Sequence, residues 1–213
     1  MNKLKIYLLF IWSIYWQNLI YVSRASSIKE EDTIIGISLG LTHSCVGVYI
    51  NHSIVIIPDE FGNKCIPSIV AFTNDDDILV GEQAKNQAIL NPKNTIYGIK
   101  RLVGKIYNDK EVHINKKILP YNIINLDNKP YIQLETKFLK QISLEYVLSL
   151  IITKLKITAE KYLGTRIKKA IITVPFYFND SQRQSIKDSG IKAGLNIRII
   201  NENKAACYSY GLN

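Results

Sequence analysis

The sequence predicts an α/β fold. Three observations carry this: β-rich segments broken by glycine turns fill residues 34–73, a long stretch with apolar residues at helical spacing covers 143–163, and the C-terminal part alternates strand and helix. With 213 residues, 47% hydrophobic and 21% charged, the chain is long enough for one sizeable core or two small ones and too apolar for disorder. The formal charge is +9, yet Lys and Arg are scattered among Ile, Asn and Tyr without a dense run. This implies a solvated basic surface, and nucleic acid is not an expected partner.

Residues 1–25 have the makings of a signal peptide. Lys3 and Lys5 form a positive start, Ile6 to Trp16 an apolar middle, and Ser23-Arg24-Ala25 a small-residue cleavage site. An uncleaved anchor is the alternative, because Leu19 to Val22 extends the apolar stretch. Gln17 and Asn18 interrupt it, however, and no stable membrane span is expected. Residues 26–33, with Lys29-Glu30-Glu31-Asp32, are a polar spacer, which directs the domain of residues 34–213 to a secretory lumen.

From Ile34 the chain is β-rich to a glycine turn at Gly40, returns over Ser44 to Ile50, and continues over Ser53 to Pro58, an antiparallel meander. Gly62-Asn63-Lys64 turns it into a strand over Pro67 to Thr73, and Ile78 to Val80 is another. A helix over Glu82 to Leu90 stops at Asn91-Pro92, and a second short helix is expected over Thr95 to Leu102, ending at Gly104. Tyr107 to Leu139 alternates strand-like pieces with polar turns and reads as a small β-rich insertion. Ser143 to Leu163 is an amphipathic helix closed by Gly164. Lys169 to Val174 is a buried strand ended by Pro175. Asp180 or Ser181 caps a helix to Lys192, with Gly194 as its stop; strand Ile197 to Ile200 and helix Glu202 to Tyr210 come last.

Cys45, Cys65 and Cys207 are too few for a disulfide framework and have no metal-ligand spacing. Three buried or half-buried thiols is the expectation; one pair in an oxidising lumen is the alternative, with its partners open. Asn51-His52-Ser53 and Asn179-Asp180-Ser181 are glycosylation acceptor motifs, the second one subject to closure by folding.

The hairpin from Gly36 to Ser44 has two glycines that let backbone N–H groups approach phosphate oxygens, although taken alone a glycine turn is better read as plain structure. A series of segments C-terminal to it is more specific: Asp59-Glu60-Phe61-Gly62-Asn63-Lys64, Pro67-Ser68-Ile69-Val70-Ala71-Phe72, Lys100-Arg101-Leu102-Val103-Gly104, Val174-Pro175-Phe176, Ala193-Gly194-Leu195-Asn196 and Ile199-Ile200-Asn201-Glu202. Together, in this order, these segments resemble the seventy-kilodalton heat-shock chaperone family across residues 34–213, with the nearest likeness to its endoplasmic-reticulum branch. The resemblance implies the actin-like ATPase fold. It implies the first lobe only, an inner α/β subdomain plus a smaller outer one, with the second lobe and the peptide-binding domain expected to be absent.

Roles carried over by the resemblance are specific. Lys100 matches the catalytic lysine that neutralises charge on the transferred phosphoryl group, and Glu202 the carboxylate that orders metal-bound waters. Gly36, Gly40, Leu41, Thr42 and His43 occupy the phosphate loop. Pro175 and Arg183 match an allosteric relay. Two departures stand out: Ser38 replaces the aspartate that organises the cation, so the metal position is degraded, and Leu41 replaces a threonine hydroxyl that faces the γ-phosphate. Asn203 and Lys204 also depart from the family pattern.

The implied ligand is ATP or ADP with Mg, bound weakly or not at all. The implied activity is that of a lumenal chaperone ATPase with impaired hydrolysis; a catalytically inactive decoy or regulator is the alternative. J-domain co-chaperones and nucleotide-exchange factors are the implied partners, and unfolded clients only in the presence of a peptide-binding domain. Cleavage after Ala25 gives a mature chain starting at Ser26, which intact-mass measurement after expression in a secretory host checks.

Overall fold

The computed structural model describes residues 33–75 and 77–211. The leader of residues 1–25 and nearly all of the spacer lie outside these. Strands β1 (Ile34–Leu39), β2 (His43–Ile50), β3 (Ser53–Ile56) and β4 (Ile66–Pro67) come first, then β5 (Val70–Phe72), β6 (Ile78–Val80), helix α1 (Glu82–Asn86), β7 (Thr95–Ile96) and a 3-10 turn over Ile99–Arg101. Helix α2 (Lys110–Ile118) precedes β8 (Asn122–Leu126), β9 (Lys129–Gln133) and β10 (Gln141–Ser143). The chain then alternates α3 (Leu144–Leu163), β11 (Lys169–Val174), α4 (Asp180–Lys192), β12 (Asn196–Asn201) and α5 (Glu202–Ser209).

The main sheet runs β12-β11-β1-β2-β3, with β4 also paired to β2. Strands β12, β11 and β1 are parallel, whereas β1, β2 and β3 form the expected antiparallel meander. On β1, Ile35, Ile37 and Leu39 are buried while Ile34, Gly36 and Ser38 are exposed. The buried side packs beneath α3, whose Val147, Leu148, Ile151, Ile152 and Leu155 make the apolar stripe that the sequence spacing predicts. Ser143 caps α3 by accepting from the Tyr146 N–H, and Gly164 ends it with φ 66°. Two three-stranded sheets, β6-β5-β7 and β10-β9-β8, complete the sheet structure of the described residues.

Five expectations need correction. The segment Pro67 to Thr73 is two strands: β4 joins the main sheet and β5 a different one, so the chain changes sheets at Ser68–Ile69. Thr95 to Leu102 is not a helix. Its β-branched start pairs with Val70 and Ala71, and a 3-10 turn follows Gly98, which stands at φ 69°. The insertion from Tyr107 contains helix α2, anchored by buried Val112 and Asn115, as well as the β8–β9 hairpin.

The cap of α4 is Asn179, not Asp180 or Ser181. Its side chain accepts from the Gln182 N–H at 2.9 Å while the Gln182 side chain accepts from the Asn179 N–H, a reciprocal capping box. The second acceptor motif therefore has its asparagine engaged at a helix start, while Asn51 lies exposed in the β2–β3 turn with φ 50°. The cysteines differ most from expectation. Cys45 and Cys65 form a disulfide with Cα atoms 4.4 Å apart, and Cys207 is an exposed thiol. The bond extends the β2–β4 register by one step beyond Ser44 and Ile66, where facing side chains come closest.

Helix α4 lies between α3 and β12. A Cβ on Gly190 would sit 2.0 Å from Cγ1 of Ile197. Alanine ordinarily stabilises a helix interior by about 1 kcal/mol over glycine, but here the overlap wins. Gly190→Ala is expected to destabilise by about 1–3 kcal/mol in urea unfolding.

Candidate functional site

Three parallel strands end at one edge of the main sheet, and the candidate residues sit at their ends. Gly40 comes directly after β1, Pro175 after β11 and Glu202 after β12. Open α/β sheets bind ligands beyond the carboxyl ends of their parallel strands. Here these residues, with Leu41 and Lys100, line a cleft of about 810 Å³.

The β1–β2 turn is tight. A Cβ on Gly40 would lie 2.0 Å from the His43 carbonyl oxygen, so only glycine fits. Gly36 differs, since its added Cβ would meet no atom closer than the Gly47 oxygen at 3.9 Å. It sits mid-strand opposite Gly47 and borders no part of the cleft. Thr42 and His43 line a smaller cavity of about 330 Å³ that Leu41 also borders, and His43 Nδ1 is 3.3 Å from the Thr42 hydroxyl.

Lys100 belongs to the 3-10 turn between Gly98 and Leu102. Ile99, Leu102 and Val103 are buried and fix the turn. The Tyr121 hydroxyl donates to the Tyr97 carbonyl at 2.6 Å, holding the approach from the other side. Lys100 Nζ donates to Glu202 Oε1 at 2.8 Å and stands 5.9 Å from the Phe178 ring centroid. Its side chain is 11% exposed against 45% for Glu202, so the pair lies at the cleft wall with the carboxylate towards solvent. Glu202 opens α5, where a helix N-terminus favours negative charge.

Arg183, on α4, is half-buried. Its guanidinium donates to the carbonyls of Phe178 at 2.9 Å and Phe176 at 3.2 Å, and to Asn201 Oδ1 at 2.8 Å. It thus ties the segment after Pro175 to the residue before Glu202. These bonds go to Phe176, Phe178 and Asn201 and not to Pro175 itself. Lys204 turns away, with Nζ 5.5 Å from the Tyr208 ring centroid.

Arg101, Lys105, Glu111 and Asn115 also border the cleft. Arg101 and Lys105 lie close to Lys100 in the chain and are legible as its neighbours. Glu111 and Asn115 come from α2, a segment whose sequence pattern reads as β-rich, so no local signal places them at the site. Lys105 pairs with Glu111 at 2.7 Å. The Asn115 amide donates to the Glu111 carbonyl while its Oδ1, buried, has no partner among the described residues.

The charges suit an anion better than a divalent cation. Three cationic side chains meet two carboxylates, and each carboxylate is already held by a lysine. Ser38, expected at the metal position, is an exposed hydroxyl opposite Cys45 on β2. Among the described residues no three His, Cys, Asp or Glu side chains are grouped to hold a metal. Magnesium usually relies on one or two carboxylates besides phosphates and water, so these residues fit it poorly.

A protein-family model described as Hsp70 protein matches residues 34–213. The match takes in the whole main sheet and every residue of the cleft.

Burial, with the neighbouring Tyr97, pushes the Tyr121 phenol far above its usual range against the opposing pull of Arg101. The folded state therefore keeps a proton that the unfolded chain loses near pH 10. The contribution to stability is whole below that pH and lost as pH rises beyond it. Tyr121→Phe is expected to reduce the alkaline loss of stability between about pH 10 and 11.5, while costing about 1 kcal/mol at neutral pH for the hydrogen bond. Denaturant unfolding across pH measures both.

Proposed function

The chain belongs to the Hsp70 family, and from that premise we propose that residues 34–213 form the first lobe of its actin-like ATPase domain, holding nucleotide phosphates at the Gly40–Thr42 turn with hydrolysis impaired. The observation that carries this reading is the convergence of Gly40, Pro175 and Glu202 at one sheet edge with Lys100 facing them. The main sheet with α3, α4 and α5 corresponds in this reading to the inner subdomain, and the two smaller sheets to the outer one.

Each residue has a part. Backbone N–H groups of the turn meet phosphate oxygens, and Lys100 leaves Glu202 to meet the outermost phosphate. Glu202 is then free to order water. Ser38 supplies no carboxylate for a cation, and Leu41 puts an apolar side chain where a hydroxyl would meet phosphate. Each loss corresponds to about ten- to a thousand-fold in rate. ATP or ADP is the nucleotide of this reading, with Mg contributing little.

Two features support a secretory lumen: the leader pattern of residues 1–25 and the Cys45–Cys65 disulfide, a bond typical of oxidising compartments. A place nearest the endoplasmic-reticulum branch of the family agrees with both. J-domain co-chaperones and nucleotide-exchange factors are the proposed partners, with unfolded clients reached through a peptide-binding domain. A second reading, a regulator that binds co-chaperones without turnover, is favoured by one observation: the catalytic lysine is already neutralised by Glu202.

Isothermal titration with ATP tests the reading. The wild-type chain is expected to bind more weakly than micromolar and with little dependence on Mg. Ser38→Asp combined with Leu41→Thr should tighten binding about tenfold or more and make it Mg-dependent. Micromolar Mg-ATP binding by the wild type would sink the claim of a degraded site, and no binding by either chain would sink the nucleotide claim itself.

A further inference from the structure

Gly40 is held by two buried hydroxyls that the proposed chemistry does not use. Its N–H donates to Ser44 Oγ at 3.3 Å, Ser44 Oγ lies 2.8 Å from Ser68 Oγ, and the Ser68 hydroxyl donates back to the Gly40 carbonyl at 2.9 Å. Ser68 gives its only proton to that carbonyl, so Ser44 must be the donor between the two serines. The three bonds then run one way from the Gly40 N–H through the two hydroxyls to the Gly40 carbonyl, each hydroxyl both acceptor and donor, a relay in which hydrogen bonds strengthen one another and which the Gly40 backbone closes into a ring. Ser44 is fully buried and Ser68 is 5% exposed, so water does not compete.

Ser68 also donates its own N–H to the Thr42 carbonyl at 2.8 Å. Both the Gly40 and the Thr42 carbonyls are thus pinned towards Ser68. A trans peptide sets the next N–H opposite its carbonyl, so the N–H groups of Leu41 and His43 point to the other side of the turn. We propose that Ser44 and Ser68 are positioning residues for the phosphate turn: their ring turns its carbonyls inward and its amides outward before any anion arrives. This rests on the reading of Gly40–Thr42 as a phosphate site. Preset donors need no reorganisation on binding.

The ring also gives the change of sheets at Ser68 a purpose. Strand β4 is bonded to β2 through the Cys45–Cys65 disulfide and the Ser44–Ile66 pair, which delivers Ser68 under the turn just before the chain leaves for β5. A serine one residue earlier or later would face another way.

Amide exchange at Gly40 in the full chain reads the ring directly, with Ile172 in β11 as the internal reference. In Ser68→Ala the Gly40 amide should exchange about tenfold faster, although Ser68 does not touch that N–H. Ile172 should not change, and Ser68→Thr should restore the slow rate. The ATP dissociation constant should rise about tenfold in Ser44→Ala and in Ser68→Ala, and no further in the double variant, because either change opens the same ring. Unchanged Gly40 exchange in Ser68→Ala, or additive losses of affinity, overturns the proposal. If the wild-type chain binds no ATP while Gly40 responds as stated, the nucleotide reading fails and the ring is upheld as the clamp of the turn.

Discussion

The parallel pairing of β1 with β11 is the constraint on which the site depends. Register matches Ile34 with Lys169 and Ser38 with Thr173, so the two strands finish together, and β12 finishes with them through its own pairing to β11. A slip of one residue would turn Ile35, Ile37 and Leu39 out of the core. Burial therefore enforces a register that also fixes where Gly40, Pro175 and Glu202 stand. Stability and site geometry have one cause here.

Much of this is legible in the sequence because the strongest local signals coincide with the elements that build the site. The apolar spacing from Leu144 to Leu155 gives α3, and the runs at Ile34 and Lys169 give β1 and β11. Lys100 and Glu202 are legible as a pair only through family resemblance, since no pattern links residues so far apart. Failures come where tertiary pairing overrides local preference. Thr95 and Ile96 pair with β5 instead of starting a helix, and α2 hides because few of its residues are apolar. The partner of Cys45 depends on β4 lying beside β2, which spacing does not disclose.

The cleft combines a cradle for an anion with a weak case for a cation. Lys100 shows how a charge is kept at a cleft wall: Glu202 pairs with it at 2.8 Å. The same carboxylate keeps the lysine from attracting anions at long range, so affinity and poise oppose each other. Arg183 in turn holds Asn201, the residue that precedes Glu202, with a hydrogen bond of 2.8 Å.

The disulfide has a consequence for the order in which the fold is assembled. Cys45 and Cys65 are twenty residues apart, whereas the pairing of β1 waits for β11, more than a hundred residues further along. Short-range closure precedes long-range pairing in a growing chain. The covalent link joins β2, β3 and β4 into a small closed unit whose contacts all lie far closer in sequence than the β1–β11 pairing. The Gly40–Thr42 turn lies within reach of that unit, bonded to Ser68 just beyond β4.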